Sequence, residues 1–172
     1  MNNQLNINEG WEKLNELNVN NNDVEENELG QYIPSTETFN IREGFSEIHT
    51  QLINEFIPET VRTINMPNDV VSIGCFGRIR NLEEVHLSEN LEVIGVGAFN
   101  ELKQLKHIDL PISLRIIDRS AFVHCLALTD IKLPIYLEEI GNAAFAYCKN
   151  LSRINLPENL KRIGHVIFLD CN

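Results

Sequence analysis

Apolar positions recur along most of the chain with a period of 23 residues, and polar residues fill the positions between them. The same phrase, L-x-x-[IV]-x-L-[PS]-x-x-L-x-x-I-[GD]-x-x-[AI]-F-x-x-[CL], begins at Leu82, Leu105, Leu128 and Leu151. A degenerate copy, two residues shorter, precedes them over residues 61–81. A fixed period of this length is typical of a solenoid in which stacked coils share one core. The pattern therefore predicts five coils over residues 61–172, the first degenerate and the last incomplete.

Each copy predicts two short strands and a compact turn. In the third copy, the alternation up to Leu133 and the run ending at Ile140 have strand character, and Pro134 separates them because proline cannot donate to a strand ladder. Gly141 follows the second run, and Asp118 replaces it one copy earlier, so we expect a turn with positive φ. An inward column is expected at Phe76, Phe99, Phe122, Phe145 and Phe168.

Charges in the second strand are consistent with parallel stacking of the coils. The residue after its leucine is Glu92, Arg115, Glu138 and Lys161 in successive copies. Opposite charges on adjacent strands about 4.8 Å apart attract each other. We expect a solvated ladder of ion pairs along this column.

The segment before the repeats has a different pattern. Phe45, Ile48, Leu52 and Phe56 lie three or four residues apart, which predicts a helix over about residues 42–57. This helix, in a domain over residues 39–60, is expected to cap the first coil, because an open coil would expose its core. Alternatively, a vestigial coil lies here, since the sequence from Ile57 to Val61 resembles the repeat phrase.

The first 38 residues are predicted to be an acidic, asparagine-rich flexible leader. Ten of the first thirty residues are Asn, a polar bias typical of disorder. A short amphipathic turn at Trp11, Leu14 and Leu17 is a less favoured alternative. Residues 1–50 hold ten acids and two bases, whereas residues 51–172 hold fifteen acids and twelve bases. This balance indicates no nucleic-acid partner, and no apolar run is long enough for membrane insertion.

The repeat phrase resembles the BspA-type leucine-rich repeat, a class with 23 residues per coil. In the third copy the residues that carry the resemblance are Ile131, Leu133, Pro134, Leu137, Ile140, Gly141, Ala144, Phe145 and Cys148. The resemblance implies a leucine-rich-repeat solenoid that is right-handed, with a concave parallel β-sheet and a second short strand per coil. It also implies roles in adhesion and protein recognition, and it brings no catalytic residues.

The first strand of each coil presents two outward columns, because side chains two apart on a strand face the same way. The predicted partner-binding residues in these columns are Glu84, His86, His107, Asp109, Asp130, Lys132, Arg153 and Asn155. The imidazoles and carboxylates at the first four positions are also compatible with a divalent metal or with acid–base work, both less favoured. We expect lateral pairs of Glu84 with His107, His86 with Asp109, Asp109 with Lys132, and Asp130 with Arg153.

The cysteines predict core packing rather than chemistry. Cys125, Cys148 and Cys171 occupy one repeat position, where Leu102 stands in the first full copy, so we expect buried reduced thiols. No C-x-x-C pair or nucleotide-binding, zinc-protease or hydrolase motif occurs in the sequence. We therefore expect no enzyme activity, no catalytic residues, no cofactor and no metal.

The leading hypothesis is a non-catalytic module that binds a protein partner through the concave face. If His86 and His107 take part, binding should change between about pH 5.5 and 7.5, where imidazole normally titrates. The alternative is a structural or adhesion rod segment of a longer cell-surface protein, with end-to-end self-association through the open C-terminal coil as a possibility. No signal peptide is seen, so a cytoplasmic location is expected if Met1 is the native start, with the cell surface as the alternative.

Overall fold

The computed structural model describes residues 24–171. The helix α1 spans Thr50–Phe56, and a 3-10 turn spans Pro34–Thr36. The strands are β1 (Glu25–Glu26), β2 (Gly30–Ile33), β3 (Thr38–Ile41), β4 (Glu47–Ile48), β5 (Thr63–Asn65), β6 (Ser72–Ile73), β7 (Glu84–His86), β8 (Val93–Ile94), β9 (Ile116–Ile117), β10 (Asp130–Ile131), β11 (Glu139–Ile140), β12 (Arg153–Ile154) and β13 (Arg162–Ile163).

The chain winds between two rows of strands. The back sheet is parallel and has the order β13-β11-β9-β8-β6-β4. The front row consists of a sheet with the order β1-β2-β3-β5-β7 and, further along, the parallel pair β10-β12. Back strands pair at the repeat period, as Ile94 with Ile117 and Ile117 with Ile140. Parallel pairing at this period confirms the predicted β-solenoid.

The predicted phenylalanine column forms the spine of the core. Phe76, Phe99, Phe122 and Phe145 have no exposed surface, and Phe168 is half-buried at the last coil. Ring centroids of neighbouring members are 6.0, 5.1, 5.2 and 5.9 Å apart, and the rings are stacked. Stacked aromatic pairs add about 0.5–1.5 kcal/mol each beyond the burial of their area. This column ties every coil to the next one.

The helix predicted over residues 42–57 is shorter in the structure, and this part of the prediction is wrong. α1 begins only at Thr50, and β4 occupies the preceding apolar position, where Ile48 pairs with Ile73 of the next coil. Gly44, at φ +102°, is incompatible with a helix through residues 42–47. β3 and β4 both pair in parallel with the next coil, which fits the vestigial-coil alternative better than one continuous helix. The sealing role of α1 and the domain boundaries stay predictions.

Part of the predicted flexible leader is ordered. β1 and β2 form an antiparallel hairpin that extends the front sheet beyond β3. Leu29 and Tyr32 are buried in it, and the Tyr32 hydroxyl lies 2.8 Å from Thr60 Oγ1. Two large buried side chains were enough to order a segment whose overall composition is polar. The predicted amphipathic turn at Trp11, Leu14 and Leu17 lies outside the described residues.

The expected positive φ at the repeat glycines is wrong. Within residues 24–171 the glycines with positive φ are Gly44 and Gly97, not Gly95 or Gly141. A Cβ on Gly141 would lie 2.6 Å from the Asp118 carbonyl carbon, and one on Gly95 would lie 2.6 Å from the Ile73 oxygen. Glycine is therefore needed for the close approach of neighbouring coils. In the coil where Asp118 takes this position, its carboxylate accepts a hydrogen bond from the Arg119 amide at 2.6 Å.

Positive φ occurs instead at non-glycine residues of the turns, in two columns. The first comprises Ser120, Ala143 and Val166 in line with Gly97, and the second comprises Glu101, His124, Tyr147 and Asp170. Hydrogen bonds between coils hold these turns, for example from the Ala143 amide to the His165 oxygen at 2.9 Å. The His124 and Tyr147 rings stack at 4.6 Å in the second column. Stacking of coils imposes a backbone that the local sequence does not favour.

Candidate functional front face

The eight residues predicted to bind a partner all lie on the front face. Glu84 and His86 flank the buried Val85 on β7, and Asp130 precedes the buried Ile131 on β10. The strand alternation that buries the apolar side chains therefore turns the polar ones outward. The full set is exposed and comprises Glu84, His86, His107, Asp109, Asp130, Lys132, Arg153 and Asn155. Their role as partner contacts stays a prediction.

The two imidazoles of this face each pair with a carboxylate of their own strand segment. His86 Nε2 lies 3.3 Å from Glu84 Oε1, and His107 Nε2 lies 3.0 Å from Asp109 Oδ1. The other ring nitrogen of His107, Nδ1, lies 3.7 Å from Asp130 Oδ1 in the next coil. His107 thus bridges two carboxylates. These side chains are more than half exposed, so solvent screens the pairs and they contribute little to stability.

The expected lateral pairs are wrong. Glu84 with His107, His86 with Asp109, Asp109 with Lys132, and Asp130 with Arg153 form no ion pair among the residues described. For the pairs that involve residues 107 and 109 the physical reason lies in the backbone: no strand is formed there, and the front row is interrupted between β7 and β10. Glu84 and His107 are therefore not held opposite each other by a continuous ladder, and each imidazole meets the carboxylate two residues away. Asp130 and Arg153 are register partners on β10 and β12, yet the Asp130 carboxylate lies near His107 instead.

A groove of about 750 Å³ lies on the front face where the row of strands is interrupted. Its charged lining groups are Glu83, Glu84, Glu89, Lys106 and Asp109, and His86 and His107 also border it. Its apolar lining includes Leu87, Leu110 and Ile112. The groove is open to solvent, unlike the enclosed and mostly apolar pockets that hold small molecules.

A second, smaller groove of about 320 Å³ continues the front face towards the last coil. Asp130, Lys132, Arg153 and Asn155 line it. The face is therefore graded, with carboxylates and imidazoles in its middle coils and two cationic side chains beyond them. Such a gradient favours one orientation of a charged partner over the reverse.

The described residues contain no cluster of three or more histidine, cysteine or carboxylate side chains arranged to hold a metal ion. Cys125 and Cys148 are buried, and their thiols donate to the carbonyl oxygens of Phe99 and Phe122 at 3.1 and 3.0 Å. Burial raises the pKa of Cys148 to about 12 and also raises the pKa of Cys125. A thiol in this state is a poor nucleophile at neutral pH because it stays protonated. The cysteine column is therefore a packing element.

The charge column of the second strand forms in part. Lys161 Nζ lies 2.8 Å from Glu138 Oε2, and this hydrogen bond lowers the pKa of Glu138. Arg162 pairs with Glu139 beside it. Arg115 lies instead with its guanidinium carbon 5.3 Å from the centre of the Tyr136 ring. The back sheet is thus a solvated ladder of charges at its last two strands.

An apolar surface that the sequence interpretation missed borders the front face. Its members follow residues 107–109, β10 and β12 in successive coils and are all substantially exposed: Ile112, Ile135, Tyr136 and Leu156. We call these four residues the apolar rim. The signal was present in the repeat phrase, since the two positions after its proline hold polar residues in the last copy but Ile135 and Tyr136 in the third.

The repeats match a known family. A family model described as a BspA type leucine rich repeat region, with six copies, matches residues 69–172, more than half of the chain. A search of curated proteins found no match. Within residues 24–171, no helix has the length and apolar character needed to cross a bilayer.

Solved structures share this fold. A leucine-rich repeat protein from Bacteroides ovatus superposes with a TM-score of 0.60 at 20% identity, covering 90% of this chain and 45% of that one. A leucine rich cell surface protein from Faecalibacterium prausnitzii superposes with a TM-score of 0.56 at 20% identity, covering 86% of this chain and 52% of that one. At this identity the likeness shows the fold alone. The chain spans about half the length of these two proteins.

Proposed function

Because the chain belongs to the BspA type leucine-rich repeat family, we propose that it is a non-catalytic module that recognises a protein partner through its front face. The observation that carries this proposal is the open groove of about 750 Å³, which charged and apolar side chains line together. Polar, hydrated surfaces of this kind are typical of protein interfaces of moderate size. The proposed contacts are Glu84, His86, His107, Asp109, Asp130, Lys132, Arg153 and Asn155.

The proposal includes the form of the module. We take the solenoid to be right-handed, with the front strands on its concave side, a second strand in each coil and α1 as part of its N-terminal cap. Curvature of this sense would turn the exposed side chains towards a bound partner. Small-angle scattering of the purified chain, compared with profiles calculated for curved and straight stacks, tests the curvature, and a crystal structure tests the handedness, the second strands and the cap.

The test is affinity capture from an extract of the source organism, followed by reconstitution with the purified partner. The front variant carries Glu84→Lys, Asp109→Lys and Lys132→Glu. A matched control carries Glu47→Lys, Glu55→Lys and Lys149→Glu, which makes the same charge changes at exposed residues of β4, α1 and a turn, away from the front face. Both variants must first show the far-UV circular dichroism of the intact chain.

We expect the intact chain and the control to retain the same partner, and the front variant to lose it. Calorimetry with the purified partner should then show at least about a tenfold loss of affinity, as expected for disrupted contacts at an interface centre. Equal binding by all three proteins would refute the proposal. Loss of the partner by the control alone would move the binding site away from the front face.

A second candidate function is a rod segment that assembles end to end, as in adhesion at a cell surface. The observation in its favour is at the last coil, where Ile163, Val166 and Leu169 are exposed and β13 has a partner on only one side among the described strands. One of the similar structures is a leucine rich cell surface protein. Sedimentation velocity over a concentration series tests self-association, and surface labelling of intact source cells distinguishes a surface from a cytoplasmic location.

A further inference from the structure

The apolar rim is an unusual concentration of exposed hydrophobic side chains. Ile112, Ile135, Tyr136 and Leu156 are 58, 57, 51 and 46% exposed, and they come from three consecutive coils. The remaining large exposed apolar side chains of the described chain lie in the turns or on the last back strand. Exposed apolar side chains that recur in neighbouring coils are candidates for an interaction site.

The backbone beneath the rim is held by hydrogen bonds between coils. Ser113 Oγ lies 2.8 and 2.7 Å from the Glu89 and Leu91 oxygens, which share its one hydroxyl proton. Asn159 Nδ2 donates to the Ile135 oxygen at 2.7 Å. These bonds present the rim side chains on a fixed frame, so that a partner docking there loses little free energy to ordering of the rim.

The side chains of the rim are also partly positioned. Arg115 Nη1 donates to the Ile112 oxygen at 3.2 Å, and its guanidinium lies over the Tyr136 ring at 5.3 Å. Arg115 therefore connects two rim residues of neighbouring coils. Tyrosine and isoleucine on such a frame provide large contact areas at a low cost in side-chain entropy.

The charge of the groove beside the rim indicates which charge a partner should carry. Ile112 lines the same groove as four carboxylates and one ammonium group, from Glu83, Glu84, Glu89, Asp109 and Lys106. Glu83 is also paired with Arg62, so the net charge is −2 when Arg62 is counted and the imidazoles are neutral. This surface repels the phosphates of nucleic acid and of anionic lipid and attracts a cation.

We propose that the groove and the apolar rim together bind a cationic, extended protein segment, with its lysine or arginine side chains among the carboxylates and its bulky apolar side chains on Ile112 and Ile135. This inference rests on the proposed recognition function of the front face and specifies the chemistry of its partner. The interrupted row of front strands leaves the groove where such a segment would lie.

The experiment is selection of a displayed library of random linear peptides against the intact chain, followed by calorimetry with the enriched peptides. We expect enrichment of peptides that combine lysine or arginine with bulky apolar residues. Affinity should fall as salt is raised, because exposed charges are screened. Enrichment of acidic or purely polar peptides, or no enrichment, would overturn the inference.

Three variants separate the contributions. The rim variant Ile112→Ser/Ile135→Ser should weaken the selected peptides by about tenfold or more, as loss of two anchoring contacts does at interface centres. The control Val96→Ser/Val166→Ser makes the same change at apolar residues that are 49 and 57% exposed but lie in the turns, and it should bind normally. The groove variant Glu84→Lys/Asp109→Lys should also lose binding.

The outcomes distinguish this inference from the proposed function. If the groove variant loses binding and the rim variant does not, the front face recognises peptides but the rim is not an anchor. If neither variant changes binding, both the inference and the front-face function fail. If the turn control weakens binding as much as the rim variant, the apolar contribution is not specific to the rim and the inference is overturned.

Discussion

Replacing Gly141 with alanine is expected to separate two neighbouring coils. The added Cβ would lie 2.6 Å from the carbonyl carbon of Asp118 and 2.9 Å from the Cα of Arg119, with the Arg119 nitrogen also in conflict. These are backbone atoms, so no side-chain rotation relieves the overlap. The backbone must retreat by about 0.8 Å before the Asp118 carbon reaches an ordinary contact distance of 3.4 Å.

The retreat would stretch three hydrogen bonds of the back sheet. The Gly141 amide donates to the Ile117 oxygen at 2.8 Å, and the amides of Glu138 and Glu139 donate to the Arg115 oxygen at 2.8 and 3.1 Å. At about 1 kcal/mol net for each bond, the substitution should lower the free energy of unfolding by about 3 kcal/mol. Coupling in a solenoid runs between neighbours, so the loss falls at the contact between these two coils.

The assay is urea unfolding followed by circular dichroism, with Gly97→Ala as the matched control. Gly97 has φ +63°, but a Cβ there would meet nothing closer than 3.7 Å, so alanine should cost only the left-handed conformation, about 1 kcal/mol. Gly141→Asn tests the rejected explanation, because asparagine tolerates positive φ but still carries a Cβ. The reasoning is refuted if Gly141→Asn is tolerated, or if Gly97→Ala costs as much as Gly141→Ala.

Three further substitutions follow from the structure. Val166→Gly should stabilise the chain by about 1 kcal/mol in urea unfolding, because Val166 is an exposed β-branched residue at φ +51°; an unchanged or lower midpoint would contradict the strain. The pKa of Cys148 is raised to about 12 from 9.0 for a free thiol, so the folded state holds the thiol proton more tightly than the unfolded state. The stability that this gives is complete below pH 9 and is lost as pH rises from 9 to 12. Cys148→Ala should therefore flatten the alkaline pH dependence of the urea midpoint. Arg78→Lys should lower the free energy of unfolding by about 1–3 kcal/mol and reduce the helical ellipticity. The guanidinium donates to the Asn54 and Ile57 backbone oxygens at 2.9 and 2.7 Å, and an ammonium group cannot span both. An unchanged stability would show that α1 does not depend on these C-terminal hydrogen bonds.

The stacking of coils could be predicted because it depends on recurrent burial. Each coil must place its phenylalanine and its second-strand isoleucine against the equivalent residues of the neighbouring coil, and the constant spacing in the sequence follows from that requirement. Pairing of Ile117 with Ile140 and stacking of Phe122 on Phe145 follow directly from it. Residues 24–56 carry no such repetition, and there the interpretation missed β1 to β4 and extended α1 too far.

The backbone of the turns could not be predicted from local preference. Tyr147 and Val166 adopt positive φ although neither residue type favours it, whereas Gly95 and Gly141 do not adopt it. The neighbouring coil determines the backbone at Tyr147, whose amide donates to the Leu169 oxygen at 2.7 Å and so offsets the strain. It also determines it at Gly95 and Gly141, where it leaves no room for a Cβ. Only the distance between coils contains this information, and a single repeat does not encode it.

On the front face, too, the outward positions of side chains could be predicted but their contacts could not. Strand alternation correctly placed His86 and His107 on the outside, because it depends only on burial of Val85 and Ile108. The partners of the imidazoles could not be predicted in this way: no strand ladder joins Glu84 to His107, whereas His107 Nδ1 lies 3.7 Å from Asp130 Oδ1 of the next coil. Outward positions are therefore safer predictions than pairs between strands.

The apolar rim shows how coils of one chain can serve as a comparison for one another. Core positions keep the same residue type because every coil has the same burial requirement. A surface position whose residue type changes from coil to coil therefore reflects a requirement of that coil alone. The position after the proline or its serine equivalent holds Glu89, Ile112, Ile135 and Glu158 in successive coils. A solvated surface gives no reason for isoleucine in the two middle coils alone. An apolar centre between charged flanks is the arrangement by which interface anchors exclude water, and it is this contrast that directs the search for a partner to the rim.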